Sequence, residues 1–540
     1  MLTMIAPVGL VVADSWVERI SRTFFDDTFA GIHQLQWFDY AILVPYFAAL
    51  AVLSLYGLHR YITIYRYWRY KKNLPLTPPG RFAEPPRVTI QLPIYNERFV
   101  VGRLIEAVSR IRYPRDRLQI QVLDDSTDET RVIARRLVEE YRARGVPIEY
   151  HHRTNRRGFK AGALEEGLKH ATGELIAIFD ADFVPDPDFL EKTVDYFTDP
   201  KVGLVQTRWA FFNRNYNLLT EVQAILLDGH FILEHVARCA SGLFFNFNGT
   251  AGILRRKMIE EAGGWQHDTL TEDCDLSYRA QLGGWKFLYL PHVESPSELP
   301  VETYAFQVQQ ARWAKGLTQV ALKLLPAIFR APIPWRNKLE AFFHLTPNIS
   351  YVLMILVSLL VYPAMVVRFY MGWHEMLLLD VPVMAAAFFS IIAFYVFAQR
   401  EHDPRGWKRS IVLMPMVIAA GIGLTLINSK AVLEAVAGFQ TAFARTAKYA
   451  VAGSRRVSAA VQVYRRRSGW LPFVEIACGV AFLAIVYLAI DSYNFLAVPF
   501  LTLFVAGYLW AGVSTLIDEF RARLRWELER EAQPEIEAAP

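Results

Sequence analysis

Residues 174–182 read Glu-Leu-Ile-Ala-Ile-Phe-Asp-Ala-Asp, an unbroken apolar run closed by two acids one residue apart. A short apolar run without alternation predicts a strand buried on both faces, and such strands belong to sheets covered by helices on either side. Upstream lie VTIQLPIYN (88–96), QIQVLDDST (119–127) and IEYHHR (148–153), and downstream VGLVQTR (202–208). Helical patterns at 97–111, 128–144, 160–171 and 188–198 separate them. This alternation predicts a parallel α/β sheet, in which ligands meet the C-terminal ends of the strands. Polar residues fall at those ends: Pro93, Tyr95, Asn96 and Glu97 after the first strand, Asp124 and Asp125 after the second, Asp180 and Asp182 after the fourth.

Outside this region the composition changes. Of 540 residues 53% are apolar and 21% charged, but 81–330 reads as a soluble globule while Tyr40–Leu58 and much of 344–516 are apolar runs of membrane-spanning length. The expected organisation is an N-terminal segment with a first span (1–75), a globular domain (76–335), a membrane region (336–520) and a charged tail (521–540). Met1–Ala13 lacks a basic leader, so no cleaved signal is expected. Residues 15–37 suit an amphipathic helix on the membrane surface or an ordinary packed helix. A net charge of +5 gives little support to nucleic-acid binding, and no nucleic-acid partner is expected. Cys239, Cys274 and Cys478 have neither metal-ligand spacing nor a disulfide pattern.

Arg60, Arg66, Arg69, Lys71 and Lys72 follow the first span, against Arg19 and Arg22 before it. The positive-inside bias therefore predicts a cytosolic globular domain on a multi-pass membrane protein. Further apolar segments run 344–367, 381–398, 411–427, 471–490 and 495–516. If 411–427 crossed the bilayer, the basic stretch 445–467 would fall outside. The expectation is that 411–437 is re-entrant or interfacial, leaving five spans. A bacterial inner or plasma membrane is expected over a Golgi membrane.

An Asp-x-Asp such as Asp180-Ala181-Asp182 can hold a hard divalent cation that also takes diphosphate oxygens. Alone it is as readily a turn or a helix cap. Its company is more specific. In chain order come Asp124-Asp125, FKAGAL (159–164), Asp180-Ala181-Asp182, Phe247-Asn248-Gly249-Thr250, Thr271-Glu272-Asp273 and Gln309-Gln310-Ala311-Arg312-Trp313. The series resembles the D, DxD, TED, QxxRW signature of processive family-2 glycosyltransferases, the group of cellulose, mannan, chitin and hyaluronan synthases. QLPIYNE, VLDDSTDET, FNGTAG and GWKFLYLP look most like the cellulose-synthase-like mannan and glucan synthases.

The resemblance implies a GT-A-type, Rossmann-like α/β domain inserted between transmembrane helices, and inverting transfer of a hexose from a nucleotide sugar, UDP-glucose or GDP-mannose, to a growing β-linked glycan with coupled export. It implies Asp124 and Asp125 at the nucleoside, Lys160, Asp180, Gln309 and Arg312 at the diphosphate, and Asp180 and Asp182 at Mg2+ or Mn2+. Asp273 would be the base, with Glu272 beside it, and Asn248, Thr250 and Trp313 would meet the acceptor. Phe443-Ala444-Arg445-Thr446-Ala447-Lys448 is similar to the FxVTxK gating loop of cellulose synthases, with Arg445 in place of Val, and would bring Lys448 to the diphosphate. The charged tail carries no cyclic-dinucleotide motif, so control by that route is not expected. The residues alone leave Asp273 open as a cap for a helix at 274–282 and Arg312-Trp313 as an interfacial pair. His230 and His235, five apart, read as packing. Rival functions are a transferase adding one sugar to a membrane lipid and a non-enzymatic scaffold; the intact acidic positions speak against the scaffold.

Overall fold

The computed structural model describes residues 33–371, 382–383, 385–439, 448–450, 469–491, 494–495 and 497–532. A long helix α1 (Trp37–Tyr70) leads into the globular domain. There β1 (Val88–Ile94), α2 (Val101–Ser109), β2 (Leu118–Asp124), α3 (Thr130–Ala143), β3 (Ile148–His152), α4 (Phe159–His170) and β4 (Leu175–Ile178) follow the expected alternation. β5 (Val202–Phe211), α5 (Leu218–Asp228), α6 (His235–Ala240), β6 (Gly252–Arg255), α7 (Glu272–Leu282) and β7 (Lys286–Ser297) complete it.

The seven strands are ordered β3-β2-β1-β4-β6-β5-β7. β1, β2, β3 and β4 pair in parallel as expected, but the sheet is mixed: β6 runs antiparallel to both β4 and β5. The strands read from the sequence run in one direction, and β6, a four-residue strand, GILR, too short to carry a periodic signal, runs against them. Once inserted between β4 and β5, it brings the Phe247–Thr250 loop to the end of β4.

Both faces are covered, as the alternation-free strands require. Val101, Leu104, Ile105, Ala134 and Val138 of α2 and α3 pack with Ile90, Leu92 and Val122 on one side. On the other, Ala161, Leu164 and Leu168 of α4 pack with Ile176, Ile178, Val236 and Leu276. This second core also takes in Tyr67 of α1 and Phe394 and Ala398 of a later helix, so the domain shares its interior with the apolar helices.

Those later helices are α8 (Thr303–Arg330), α9 (Trp335–Leu345), α10 (Ile349–Tyr370), α11 (Ser390–His402), α12 (Lys408–Gly423), α13 (Thr425–Val436), α14 (Leu471–Asp491) and α15 (Val498–Ala532). Among the described residues four helical stretches are long and apolar enough to cross a membrane: Trp37–Asn73, Ile349–Tyr370, Leu471–Asp491 and Val498–Arg521. α12 and α13 pass the same test only as a pair bent by 41°, the geometry of a broken span or a re-entrant loop. The expected span at 381–398 lies partly outside the described residues; its described part is a π-turn at Ala385–Phe389 and α11. Residues 15–32, Phe443, Arg445 and Thr446 also lie outside.

The first helix is tied to the rest by buried charge. Glu340 on α9, with 2% of its side chain exposed, accepts from His59 Nε2 at 3.0 Å, from Arg66 Nη1, and from Arg238 Nε at 3.0 Å. Removing one member of such a cluster strands the others without a counter-charge. Glu340→Ala is expected to destabilise the chain by roughly 3–5 kcal/mol, read as a lower Tm in detergent; an unchanged Tm would show that the cluster contributes nothing.

Candidate active site

The predicted carboxylates gather where β4, β6 and α7 converge. Lys160, in the first turn of α4, sends its Nζ to Asp180 Oδ1 at 2.5 Å and to the Gly249 carbonyl at 2.9 Å. The Asp180 backbone N–H donates to Thr250 Oγ1 at 2.8 Å, and Thr250 is fully buried. Thr250 therefore holds the loop against β4 rather than facing a ligand. Gly249 needs to be glycine on two counts. Its φ is +79°, and a Cβ there would lie 2.9 Å from Asp273 Oδ2 and 3.3 Å from Lys160 Nζ. Asn96, Phe159 and Ala251, all beside the site, also take positive φ (56°, 50° and 52°), the kind of backbone cost that persists where surroundings impose it.

Asp273 is the second residue of α7, so it is not the cap; Thr271 occupies that position. Its Oδ1 accepts from the Cys274 N–H at 2.7 Å. Burial and then the neighbouring Glu272 carboxylate push Asp273 up to about 7, against the pull of Lys160. Burial likewise raises Glu272 and Asp180. Burial opposes the ammonium of Lys160 too, but Asp180 and Glu272 outweigh it and hold its pKa above the ordinary value. Arg312 on α8 is depressed by burial, while Asp180, Glu272, Asp273 and Asp182 act on it in the opposite sense. The two adjacent acids diverge: Glu272 lines a small pocket with Lys160, and Asp273 lines a much larger cavity.

That cavity has a volume of about 970 Å3. Asp273, Gln309, Gln310, Trp313, Asn246 and Asn248 line its end in the globular domain, and Met354, Val361, Met365, Leu503 and Phe504 line it among the apolar helices. Gln309 and Trp313 thus stand on the wall that carries Asp273, as the spacing on one helix predicts.

Asp182 pairs with Lys448 Nζ at 2.8 Å. Lys448 also donates to the Glu298 carbonyl, and the Tyr449 N–H donates to Glu298 Oε1 at 2.9 Å, while Arg103 holds Oε2 at 2.9 Å. Lys448 therefore lies on the acidic pair, not apart from it. Asp124 and Asp125 form a separate corner. Asp124 is fully buried, accepting from Ser126 N at 2.8 Å and from Tyr150 Oη at 2.7 Å, so its carboxylate braces the strand end. Asp125 is gripped by both arms of Arg153, and the Arg156 guanidinium lies 3.3 Å from the centroid of the Tyr95 ring. Neither Arg153 nor Arg156 was expected; the run of arginines at 153–157 was their only sequence signal. His230, read as packing, instead lines the cavity, whereas His235 is fully buried.

A mixed sheet covered on both faces, with acids at its strand ends and a divergent acidic pair on a helix N-terminus, is a GT-A-type arrangement. Residues 85–316 match the family described as glycosyltransferase like family 2. Over 250 residues the chain is 47% identical to glucomannan 4-beta-mannosyltransferase 1 of Oryza sativa subsp. japonica, covering 45% of this chain and 48% of that protein. Glucomannan 4-beta-mannosyltransferase 2 of Arabidopsis thaliana is 46% identical over 253 residues, covering 45% and 47%. The chain thus spans about half the length of the curated relatives it matches, and these are plant proteins. A mannosyltransferase of Pyrobaculum calidifontis, solved with GDP-Man and Mn2+, aligns with 66% of this chain and 99% of its own at 24% identity and a TM-score of 0.48.

Gly249→Ala is expected to move Asp273 or Lys160, because neither the backbone angle nor the space admits a Cβ. A displacement near 1 Å costs on the order of 10²-fold in rate, so sugar transfer should fall by about that factor while the chain still folds. Retained transfer would show that the close approach is not needed.

Proposed function

We propose that this chain is a membrane-embedded inverting hexosyltransferase that extends a β-linked glycan, of the β-mannan type, from GDP-mannose, and passes the product into the cavity among its apolar helices. The single observation that carries this is the placement of Asp273 and Trp313 on the wall of a cavity that continues into the membrane-type bundle. The identity to glucomannan 4-beta-mannosyltransferases supports mannose over glucose.

In this reading the nucleoside sits at the corner of Asp125, Arg153 and Tyr95, with Asp124 bracing it from behind. Asp180 and Asp182 are two hard oxygen donors whose chemistry fits a divalent cation, Mg2+ or Mn2+, which would replace the Lys160 and Lys448 ammonium groups now paired with them. Among the described residues no third carboxylate, His or Cys joins them, and donor diphosphate oxygens and water would complete the shell. When bound, the cation offsets charge developing on the leaving diphosphate. Lys160, Arg312 and Lys448 supply further positive charge there, and Gln309 lines the approach.

Asp273 accepts the proton of the acceptor hydroxyl as that oxygen attacks the anomeric carbon from the face opposite the diphosphate. One displacement inverts the centre, so an α-linked donor gives a β-linked product. A carboxylate pushed to about 7 is a base matched to neutral pH, and such a base contributes on the order of 10²–10⁴ in rate. Glu272, facing the other pocket, keeps that pKa up. Trp313 offers its ring to the terminal acceptor sugar. The globular domain faces the cytosol, where nucleotide sugars are, and α12–α13 forms a re-entrant or interfacial element.

The test is to supply the detergent-purified chain and Mg2+ or Mn2+ with labelled GDP-mannose, UDP-glucose and UDP-N-acetylglucosamine in parallel. A long polymer from GDP-mannose, cleaved by β-mannanase, is expected; a single sugar on extractable lipid would refute the reading. Because Asp273 acts only when deprotonated, kcat/KM should fall about tenfold per pH unit below about 7. Asp273→Asn should abolish transfer while nucleotide binding persists. A flat acid limb or an active Asn variant would remove Asp273 from the base role.

A further inference from the structure

The cavity wall contains a device that the transfer chemistry above does not use. α5 does not run directly into α6; between them Gly229–Glu234 forms a π-helical turn. Such turns are rare and recur at functional sites. Within this one His230 and Glu234, four residues apart, meet on the cavity wall, with 26% and 32% of their side chains exposed.

Asn248 joins two histidines to this wall: its Nδ2 lies 2.7 Å from His235 Nε2, and its Oδ1 lies 3.2 Å from His230 Nε2. His230 Nδ1 donates to Glu234 Oε2 at 2.9 Å, since a carboxylate only accepts. Arg238 Nη1 approaches the same Glu234 oxygen at 3.3 Å. The other oxygen, Oε1, meets no donor among the described residues. Asn248 precedes Gly249, whose Cα hydrogen faces Asp273, so the dyad and the proposed base share one loop.

A charged, hydrogen-bonded dyad beside the reacting centre suits a ligand rich in hydroxyls. We propose that the His230–Glu234 pair reads a non-reacting hydroxyl of the acceptor glycan. Glu234 Oε1 accepts from that hydroxyl, and His230 locks Asn248 and so the register of the loop that faces Asp273. The pair is a positioning and specificity device, and it rests on the reading of the cavity as the acceptor site.

The experiment uses the full chain in detergent, the donor that the wild type uses, and β-1,4-mannotetraose together with its monodeoxy analogues as acceptors. One analogue should lose roughly tenfold or more in kcat/KM with the wild type, the loss expected when a charge-assisted hydrogen bond is removed. That penalty should vanish in Glu234→Gln, which should also raise the acceptor KM about tenfold while leaving the donor KM unchanged. His230→Gln should follow the same pattern. Equal penalties in wild type and variant, or donor and acceptor constants worsening together, would reduce the dyad to a structural role and overturn the proposal. Should neither variant fold, a wild type indifferent to every deoxy analogue overturns it on its own. A wild type that transfers to lipid and to no oligosaccharide would overturn the acceptor reading itself, and this proposal with it.

Discussion

The site is organised around a buried ammonium. Lys160 reaches Asp180 and the Gly249 carbonyl, and it lies close to Asp273, so one positive charge makes it possible to keep three carboxylates within a small volume. Without a counter-charge, neighbouring buried acids protonate or push apart. Lys448 repeats the arrangement at Asp182. The acids at the ends of β4 and α7 thus stay close together, and burial, with the repulsion of Glu272 added to it, pushes Asp273 up to about 7.

Everything around this centre serves its geometry. β6 enters the sheet the wrong way round for a parallel fold, and in doing so carries Asn248, Gly249 and Thr250 to the end of β4. α8 carries Gln309, Arg312 and Trp313 one turn apart, with the cation directed among the acids and the indole lining the cavity. The buried cluster of Glu340, Arg238, Arg66 and His59 anchors α1 to the globular domain, so the wall of the cavity formed by the first apolar helix is set in place by charge as well as by packing.

Much of this was legible in the sequence, for identifiable reasons. Strands buried on both faces are continuous apolar runs, and the acids that end them announce where a ligand meets the sheet, so β1 to β5 and the positions of Asp125, Asp180 and Asp182 could be read directly. The ordered motif series placed Asp273, Gln309, Arg312 and Trp313. What escaped depends on pairings between residues far apart in the chain. Asp125 with Arg153 and Glu340 with Arg238 leave no local pattern, and β6 is too short to show one. Asp124 was read as facing the nucleoside, although Tyr150 and Ser126 enclose it. The five-residue spacing of His230 from His235 is poor for shared ligation and suggests packing, yet His230 lines the cavity beside Glu234, four residues on.

The central claim is that the product of the Asp273 site enters the cavity between the apolar helices. Its most direct test is reconstitution into sealed vesicles with the globular domain outward, followed by addition of donor and cation to the outside only. The account predicts polymer inside the vesicles, resistant to added β-mannanase until detergent is supplied. Polymer wholly digestible from the outside would contradict it.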